Sequence, residues 1–157
     1  MSRRDQIRMS DAEVLAFLEE ERTVVCATNG RRGWPHLMPL WYVLRPTGDA
    51  GAPQVWAWTF AKSQKAKNLE RDPRATLQVE SGIEYAELRG VMLRCDVEIH
   101  RDVEVVTDFA MELVERYAGG AEGTRDAFAQ QPPKRVALEF VERDRVTWDH
   151  RKLGGTY

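Results

Sequence analysis

Two segments of the sequence are apolar at successive positions, and they restrict the possible fold more than any other feature. Residues 35–45 (PHLMPLWYVLR) and 55–60 (VWAWTF) both combine aromatic, β-branched and other large apolar side chains. Because successive side chains of a strand point to opposite faces, each segment needs apolar surroundings on both sides. One side can be a barrel interior. The other can be a second subunit, a flat aromatic ligand or a covering helix.

The rest of the chain adds four predicted strands. In residues 86–100, apolar side chains recur at every second position from Val91 to Ile99 with charged ones between them, which is typical of a half-buried antiparallel strand. Six strands with few helices favour a closed antiparallel barrel, since closure removes exposed edges. The chain is then one domain over residues 1–157, and the pattern at 145–148 could extend its sheet. The six predicted strands are 23–28, 35–45, 55–60, 75–80, 86–100 and 136–141.

Three helices are predicted from their end signals and periodicity. Ser10 and Glu13 form a capping box, in which each side chain accepts a hydrogen bond from the other residue's backbone amide. Pro73 ends a short basic helix, because the residue before a proline disfavours the helical conformation. Gly119 ends a longer amphipathic helix. The predicted helices are 11–21, about 62–72 and 102–118, with loops at 46–53 and 119–133.

Composition and charge exclude several classes of protein. The net charge of −2 argues against a general nucleic-acid-binding protein, which would usually be basic. No apolar run approaches the roughly 20 residues that a membrane helix needs, and the first residues (MSRRDQIRMSD) lack the apolar core of a signal peptide. Cys26 and Cys95 lie in apolar runs without partner spacing, so we expect buried free thiols in a reducing cytoplasm.

The sequence offers no metal-binding or nucleophile motif. His36, His100 and His150 have no ligand spacing with one another, with cysteine or with a pair of carboxylates, so no metal site is predicted. A nucleophile elbow and a P-loop are also absent from the sequence. The catalytic residues, if any, stay unknown at this level.

The segment AKSQKAKNLERDPRATL (61–77) places positive charge at the start of a short helix. Lys62, Lys65 and Lys67 lie where the helix dipole is already positive, which is unfavourable by about 0.3–1 kcal/mol for each charge. An anion bound at this end would turn that unfavourable energy into binding energy. The alternative is a solvated surface helix whose lysines serve solubility. The segment alone does not separate the two interpretations.

Three motifs, taken in order, resemble those of a known superfamily. The order GWPHLMPLWYVL, VWAWTFAKSQKAKNLERDPRATL and TWDHRKLGG is similar to that of the split β-barrel flavin and deazaflavin oxidoreductases, of which pyridoxamine 5′-phosphate oxidase is the best-known member. Within this superfamily the chain looks most like the deazaflavin (F420)-dependent oxidoreductases. The resemblance implies a mainly β (α+β) fold, a six-stranded antiparallel split β-barrel with peripheral helices.

The resemblance also implies where a cofactor binds. In such proteins the strand-to-helix segment cradles the cofactor phosphate, with Lys65 here as the main charge, and the preceding strand lies along the flat ring. Asn68, Leu69 and Arg74 match the motif but are interpreted as structural. The cofactor-binding residues implied are Met38, Pro39, Leu40, Trp41, Trp58, Thr59, Lys62, Ser63, Gln64 and Lys65.

The activity implied is hydride transfer between reduced coenzyme F420 and a small unsaturated organic acceptor. FMN is the alternative cofactor, and a non-catalytic protein that binds a flavin, haem or other planar ligand is the alternative function. Arg31, Arg32 and Lys67 could offer countercharge to the glutamate tail of F420. We also expect a homodimer with cofactor sites at the interface, a small-molecule substrate, and neither nucleic-acid nor membrane partners. Speculative substrate contacts are His36, His150 and Lys152.

Overall fold

The computed structural model describes residues 2–46 and 52–155. Seven strands form one sheet in which every neighbouring pair is antiparallel, in the order β2-β1-β5-β6-β7-β4-β3. The sheet curls into a half-barrel with β2 and β3 at its two edges. The strands are β1 Val24–Asn29, β2 Pro35–Leu40, β3 Tyr42–Arg45, β4 Gln54–Phe60, β5 Arg74–Ser81, β6 Arg89–His100 and β7 Arg135–Asp149.

Helices pack around the sheet. Ser10 and Glu13 form the predicted capping box at the start of α2, and Asp102 caps α4 by accepting from the backbone amides of Glu104 and Val105. Short 3-10 helices cover residues 85–87, 132–134 and 150–153. The α-helices are α1 Arg3–Gln6, α2 Asp11–Glu20, α3 Gln64–Arg71, α4 Val103–Ala118 and α5 Glu122–Ala129.

The predicted strand 35–45 is two strands, so the prediction of six strands was wrong by one. The chain leaves β2 at Leu40, and Trp41 lies between the two strands with its ring stacked on that of Tyr117 at 4.5 Å. The Tyr117 hydroxyl accepts a hydrogen bond from the Tyr42 backbone amide at 2.9 Å. Helix α4 thereby holds the chain where it passes from one edge of the sheet to the other. The sheet is consequently open between β2 and β3 rather than a closed ladder.

Other differences from the predicted elements are local. Residues 136–141 and 145–148 belong to the single long strand β7, which pairs with β6 through an irregularity at Arg94 and Cys95. The predicted loop 119–133 contains α5, and α1 was not predicted. Residues 47–51 of the predicted loop 46–53 lie outside the described residues. Cys26 and Cys95 are buried free thiols, as expected.

Strand β4 separates two apolar clusters. Its residues Val55 and Ala57 face the barrel interior, where they pack with side chains from β1, β5, β6, β7 and α2. Trp56 and Trp58 face outward, and α4 covers them with Phe109 at the centre of a second cluster. The outer face of β4 is therefore buried within the chain itself. Among the described residues, no helix has the length and apolar character needed to span a membrane.

Replacement of Phe109 by alanine tests the role of this outer cluster. Phe109 is fully buried between Trp56 and Trp58, so Phe109→Ala should lower the free energy of unfolding by about 3–5 kcal/mol. Val103→Ala, at a position of the same helix that is 51% exposed, is the matched control and should change it by less than about 0.5 kcal/mol. Urea unfolding midpoints compare the two. Equal losses would mean that α4 is not held to the sheet by this cluster.

Candidate cofactor-binding site

Helix α3 begins at a hydroxyl pair. The Thr59 hydroxyl donates to the Ser63 Oγ at 3.1 Å, and Ser63 caps the helix by accepting from the Ala66 amide at 3.1 Å. Since both bonds are accepted by Ser63, its own proton remains a donor. The backbone amides of the first two helical residues, Gln64 and Lys65, have no acceptor within the helix. Three donors thus surround the start of α3.

The Lys65 side chain is buried at this helix start. Lys65 is 4% exposed, and within the described residues no hydrogen bond or ion pair involves its ammonium group. Burial lowers the pKa of Lys65, and the nearby Cys26 thiol opposes that shift weakly. A buried, unpaired ammonium group is unfavourable by several kcal/mol unless an anion joins it. The start of α3 has the donors and the charge of an anion site.

The inner face of β2 lies opposite buried residues of β1. Cross-strand neighbours share a face, so Met38 lies with Cys26 and His36 lies with Thr28. Thr28 in turn accepts a hydrogen bond from the Asn68 side chain at 3.1 Å, which fastens α3 to β1 and is a structural role for Asn68. The Nδ1 atom of His36 is buried without a hydrogen-bond partner among the described residues. The inner face of β2, the strand predicted to meet the cofactor ring, therefore carries a buried polar atom that has no hydrogen-bond partner among the described residues.

Strand β2 also leaves large apolar side chains in contact with solvent. Trp34, just before the strand, is 80% exposed and Leu37 is 55% exposed, while Met38 and Trp41 are about half exposed. Pro39 has no backbone N–H to donate, and proline in a strand is confined largely to sheet edges. The predicted ring-contacting residues Met38, Pro39, Leu40 and Trp41 thus form an accessible apolar edge.

Not all of the predicted cofactor-binding residues lie at the start of α3. Thr59 and Ser63 come together and Lys65 is buried two residues after Ser63, whereas the Lys62 and Gln64 side chains are exposed and Gln64 donates to Asn68. Trp58 lies on the opposite face of β4 from Thr59, stacked on Phe128 at 5.3 Å. It belongs to the outer cluster under α4.

The three residues suggested as substrate contacts do not lie together either. His150 Nδ1 lies 2.9 Å from the Tyr85 carbonyl oxygen, and Lys152 donates to the Arg8 carbonyl and to Glu13. Both residues follow Asp149, the last residue of β7, which pairs with Arg89 at the start of β6. His36 is aligned with a different part of β6, because the pairing runs from β2 through β1 and β5 to Cys95. About six residues of strand, roughly 20 Å, lie between those two parts of β6. In this chain, His150 and Lys152 fasten the C-terminal segment to other parts of the fold.

Arg135 is a residue that the sequence analysis missed. Its guanidinium carbon lies 3.9 Å from the ring centroid of Phe60, and its Nε is buried without a partner among the described residues. Burial lowers the pKa of Arg135. The Ala61 amide donates to the Lys134 carbonyl at 3.0 Å, which places this arginine beside the strand-to-helix segment. Only the pairing of β4 with β7 reveals it, since Ala61 and Arg135 lie far apart along the chain.

We expect Lys65→Met to stabilise the cofactor-free protein, because methionine fills similar space without a buried charge. The gain in melting temperature should be roughly 2–4 °C for each kcal/mol at this chain length. Since the folded-state pKa of Lys65 lies below its ordinary value of 10.5, the unfolded chain binds more protons between those values and wild-type stability rises with pH there. The advantage of methionine should therefore be largest below the folded-state pKa of Lys65 and shrink as the pH rises towards the ordinary lysine pKa. Calorimetry at both ends of this range measures the change, and a lower melting temperature for the variant at neutral pH would contradict it.

Solved structures with the same fold include one close relative in sequence. The conserved hypothetical protein Rv2991 from Mycobacterium tuberculosis is 38% identical over 100% of this chain and 95% of that chain, with a TM-score of 0.86. An F420 reductase shares 21% identity over 83% of this chain and 93% of its own, with a TM-score of 0.62. An FAD-binding protein from Mesorhizobium loti shares 19% identity over 88% and 94%, also with a TM-score of 0.62. At such low identity, these last two likenesses establish the fold alone.

A family model describes most of the chain. We found no significant match among proteins of curated function. The sequence model described as pyridoxamine 5′-phosphate oxidase, however, matches residues 10–147. This range holds all seven strands except the last two residues of β7, and it includes the start of α3. The chain belongs to the pyridoxamine 5′-phosphate oxidase-like family of split-barrel proteins, a superfamily of flavin-binding oxidoreductases.

Proposed function

We propose that this protein is an oxidoreductase that binds coenzyme F420 and acts on a small unsaturated organic acceptor. The observation that carries the proposal is the buried Lys65 in the first turn of α3, whose ammonium group has no hydrogen bond or ion pair among the described residues, together with the Ser63 hydroxyl at the start of the same helix. A phosphate group fits this place, because it accepts hydrogen bonds from amides and hydroxyls and compensates a buried ammonium charge. Asn68 supports the site by holding α3 against β1.

The flat ring of the cofactor would lie along the exposed edge from Met38 to Trp41. When bound, a deazaflavin supplies two-electron hydride chemistry that side chains cannot provide. The residues of this chain bind and orient the ring and exclude water from it through apolar contacts at Met38 and Trp41. His36, whose Nδ1 is buried and unpartnered among the described residues, offers a polar contact on the inner face of the same strand.

The choice of F420 over FMN rests on the motif order and on the presence of an F420 reductase among the similar folds. Arg31 and Arg32 are exposed in the turn before β2, and Lys67 is exposed on α3, so all three could meet an anionic tail. The FAD-binding neighbour favours a flavin as the second candidate. A protein that binds either cofactor without turnover is the third.

Separate titrations with F420 and FMN test this proposal. We expect wild-type protein to bind F420 more tightly, as measured by fluorescence quenching or by absorbance of the ring. Lys65→Met should raise the dissociation constant roughly ten- to a hundredfold, since a charge-assisted phosphate contact contributes about 1.5–3 kcal/mol. Lys67→Met, which removes the same charge from an exposed position, should have a smaller effect.

Each outcome of the titrations separates the candidates. Equal or tighter binding of FMN would overturn the choice of F420 and leave the fold intact. Equal effects of the two lysine variants would mean that the phosphate is not at Lys65. Tight binding of reduced F420 with no oxidation on adding quinones or enones would favour a binding protein over an enzyme.

We further propose that the protein is a homodimer whose interface includes β2. The strand is an unpaired sheet edge with exposed Leu37 and Met38, and exposed apolar edges are prone to association. A two-fold interface buries the same patch on both copies at once. The alternative is a monomer whose outer face is covered by α4 and the C-terminal tail; α4 covers Trp56 and Trp58, whereas Leu37 and Met38 on β2 stay exposed.

Light scattering after size exclusion should give twice the 18.0 kDa mass of one chain. Leu37→Glu should shift the protein towards monomer, because it places a charge in the proposed interface. Ile83→Glu is the matched control, since Ile83 is 92% exposed at a different place and should leave the mass unchanged. A wild-type mass equal to that of a single chain, at micromolar concentration and with cofactor bound, would contradict the dimer and the shared site together.

A further inference from the structure

Three side chains with metal-ligating atoms meet on the outer face of the sheet. Glu98 and His100 are two residues apart on β6 and therefore share a face, and Glu139 on β7 lies directly opposite Glu98. One ligand atom from each lies within 4.8 Å of the other two. This cluster is separate from the anion site, because Thr59 and Lys65 lie on the inner side of the sheet.

The charges of the cluster are poorly compensated by the protein. Like charges directly opposite each other on neighbouring strands are unfavourable, and Glu98 and Glu139 form such a pair. The one hydrogen bond or ion pair to these two side chains among the described residues is the 2.9 Å approach of His100 Nε2 to Glu139. Arg45, which lies over Trp56 on the same face, is engaged by both carboxylate oxygens of Glu112.

The surroundings hold two of the three ligands in place. The His100 ring is stacked on Trp56 with centroids 4.6 Å apart, and the Glu139 side chain is 13% exposed. Glu98 is exposed and its side chain makes no hydrogen bond or ion pair among the described residues, so its rotamer is free to change. Ligand atoms around one ion lie about 3 Å apart, given metal–ligand distances of about 2.1 Å. Movement of the Glu98 side chain can bring its oxygen to that separation from the other two ligand atoms.

We propose that Glu98, His100 and Glu139 bind one divalent transition-metal ion. An imidazole nitrogen with two carboxylate oxygens suits Zn²⁺ and its first-row neighbours better than Ca²⁺ or Mg²⁺, which prefer sites of oxygen alone. Three protein ligands leave at least one coordination position for water. The ion would link β6 to β7 close to the start of α4, since His100 lies two residues before the capping residue Asp102. Bonds from both carboxylates to one cation would replace the repulsion between them.

The test uses the full chain without an affinity tag, treated with a chelator and titrated with ZnCl₂ by calorimetry. We expect one ion for each chain, and Glu139→Gln should weaken binding by more than about tenfold because it removes a ligand but keeps its shape. Glu98→Gln repeats the test at an exposed position where folding is not at risk. His150→Gln, which removes a histidine far from the cluster, is the matched control and should bind Zn²⁺ like the wild type.

The proposal would be overturned if Zn²⁺ did not bind stoichiometrically at about 0.1 mM. This concentration is roughly a hundredfold above a micromolar dissociation constant. Equal affinities of wild type, Glu98→Gln and Glu139→Gln would do the same. Loss of Zn²⁺ binding in His150→Gln alone would place the metal elsewhere. These outcomes do not depend on F420 or FMN, so they stand apart from any failure of the proposed function.

Discussion

The need to bury both faces of β4 governs the arrangement of this protein. Val55 and Ala57 fill part of the barrel interior, and the opposite face carries tryptophans that cannot be left in water. Helix α4 solves this by laying Phe109 between Trp56 and Trp58. The same helix reaches the break between β2 and β3 with Tyr117, so the covering of β4 and the change of sheet edge depend on one packed element.

Strand β2 has the same two-sided apolar character, but several of its apolar side chains stay exposed. Leu37 and Met38 remain exposed, and Lys65 lies buried and unpaired on the neighbouring helix. Natural proteins depart from consistent local energetics mainly at functional sites, where a ligand or partner supplies what the chain lacks. An apolar edge and an uncompensated cation are what a flat, phosphate-bearing cofactor and a second subunit would satisfy. The unfavourable features of this region are therefore its strongest functional signal.

The two faces of the sheet offer different chemistry. The inner side presents donors and positive charge at the start of α3, whereas the outer side presents Glu98, Glu139 and His100. Among the described residues Lys65 has no anionic partner, and Glu98 and Glu139 lie directly opposite each other with His100 beside Glu139. Because the sheet separates these groups, each can be satisfied without disturbing the other.

Local signals in the sequence determined α2, the start of α3 and the alternating strand β6, because a capping box, a serine cap and a period of two act between near neighbours. The resemblance to the split-barrel family suggested the candidate anion site, and the short segment from Thr59 to Lys65 that it named holds the Thr59–Ser63 hydroxyl pair and the buried Lys65. Tertiary structure alone decided the rest. A segment that is apolar on both faces carries no mark of where it changes edge, so the break at Trp41 depends on Tyr117, which is distant in the sequence. Likewise Trp58 lies in the outer cluster and His100 lies beside Glu139. Strand pairing, which the sequence does not show, sets which side chains share a face.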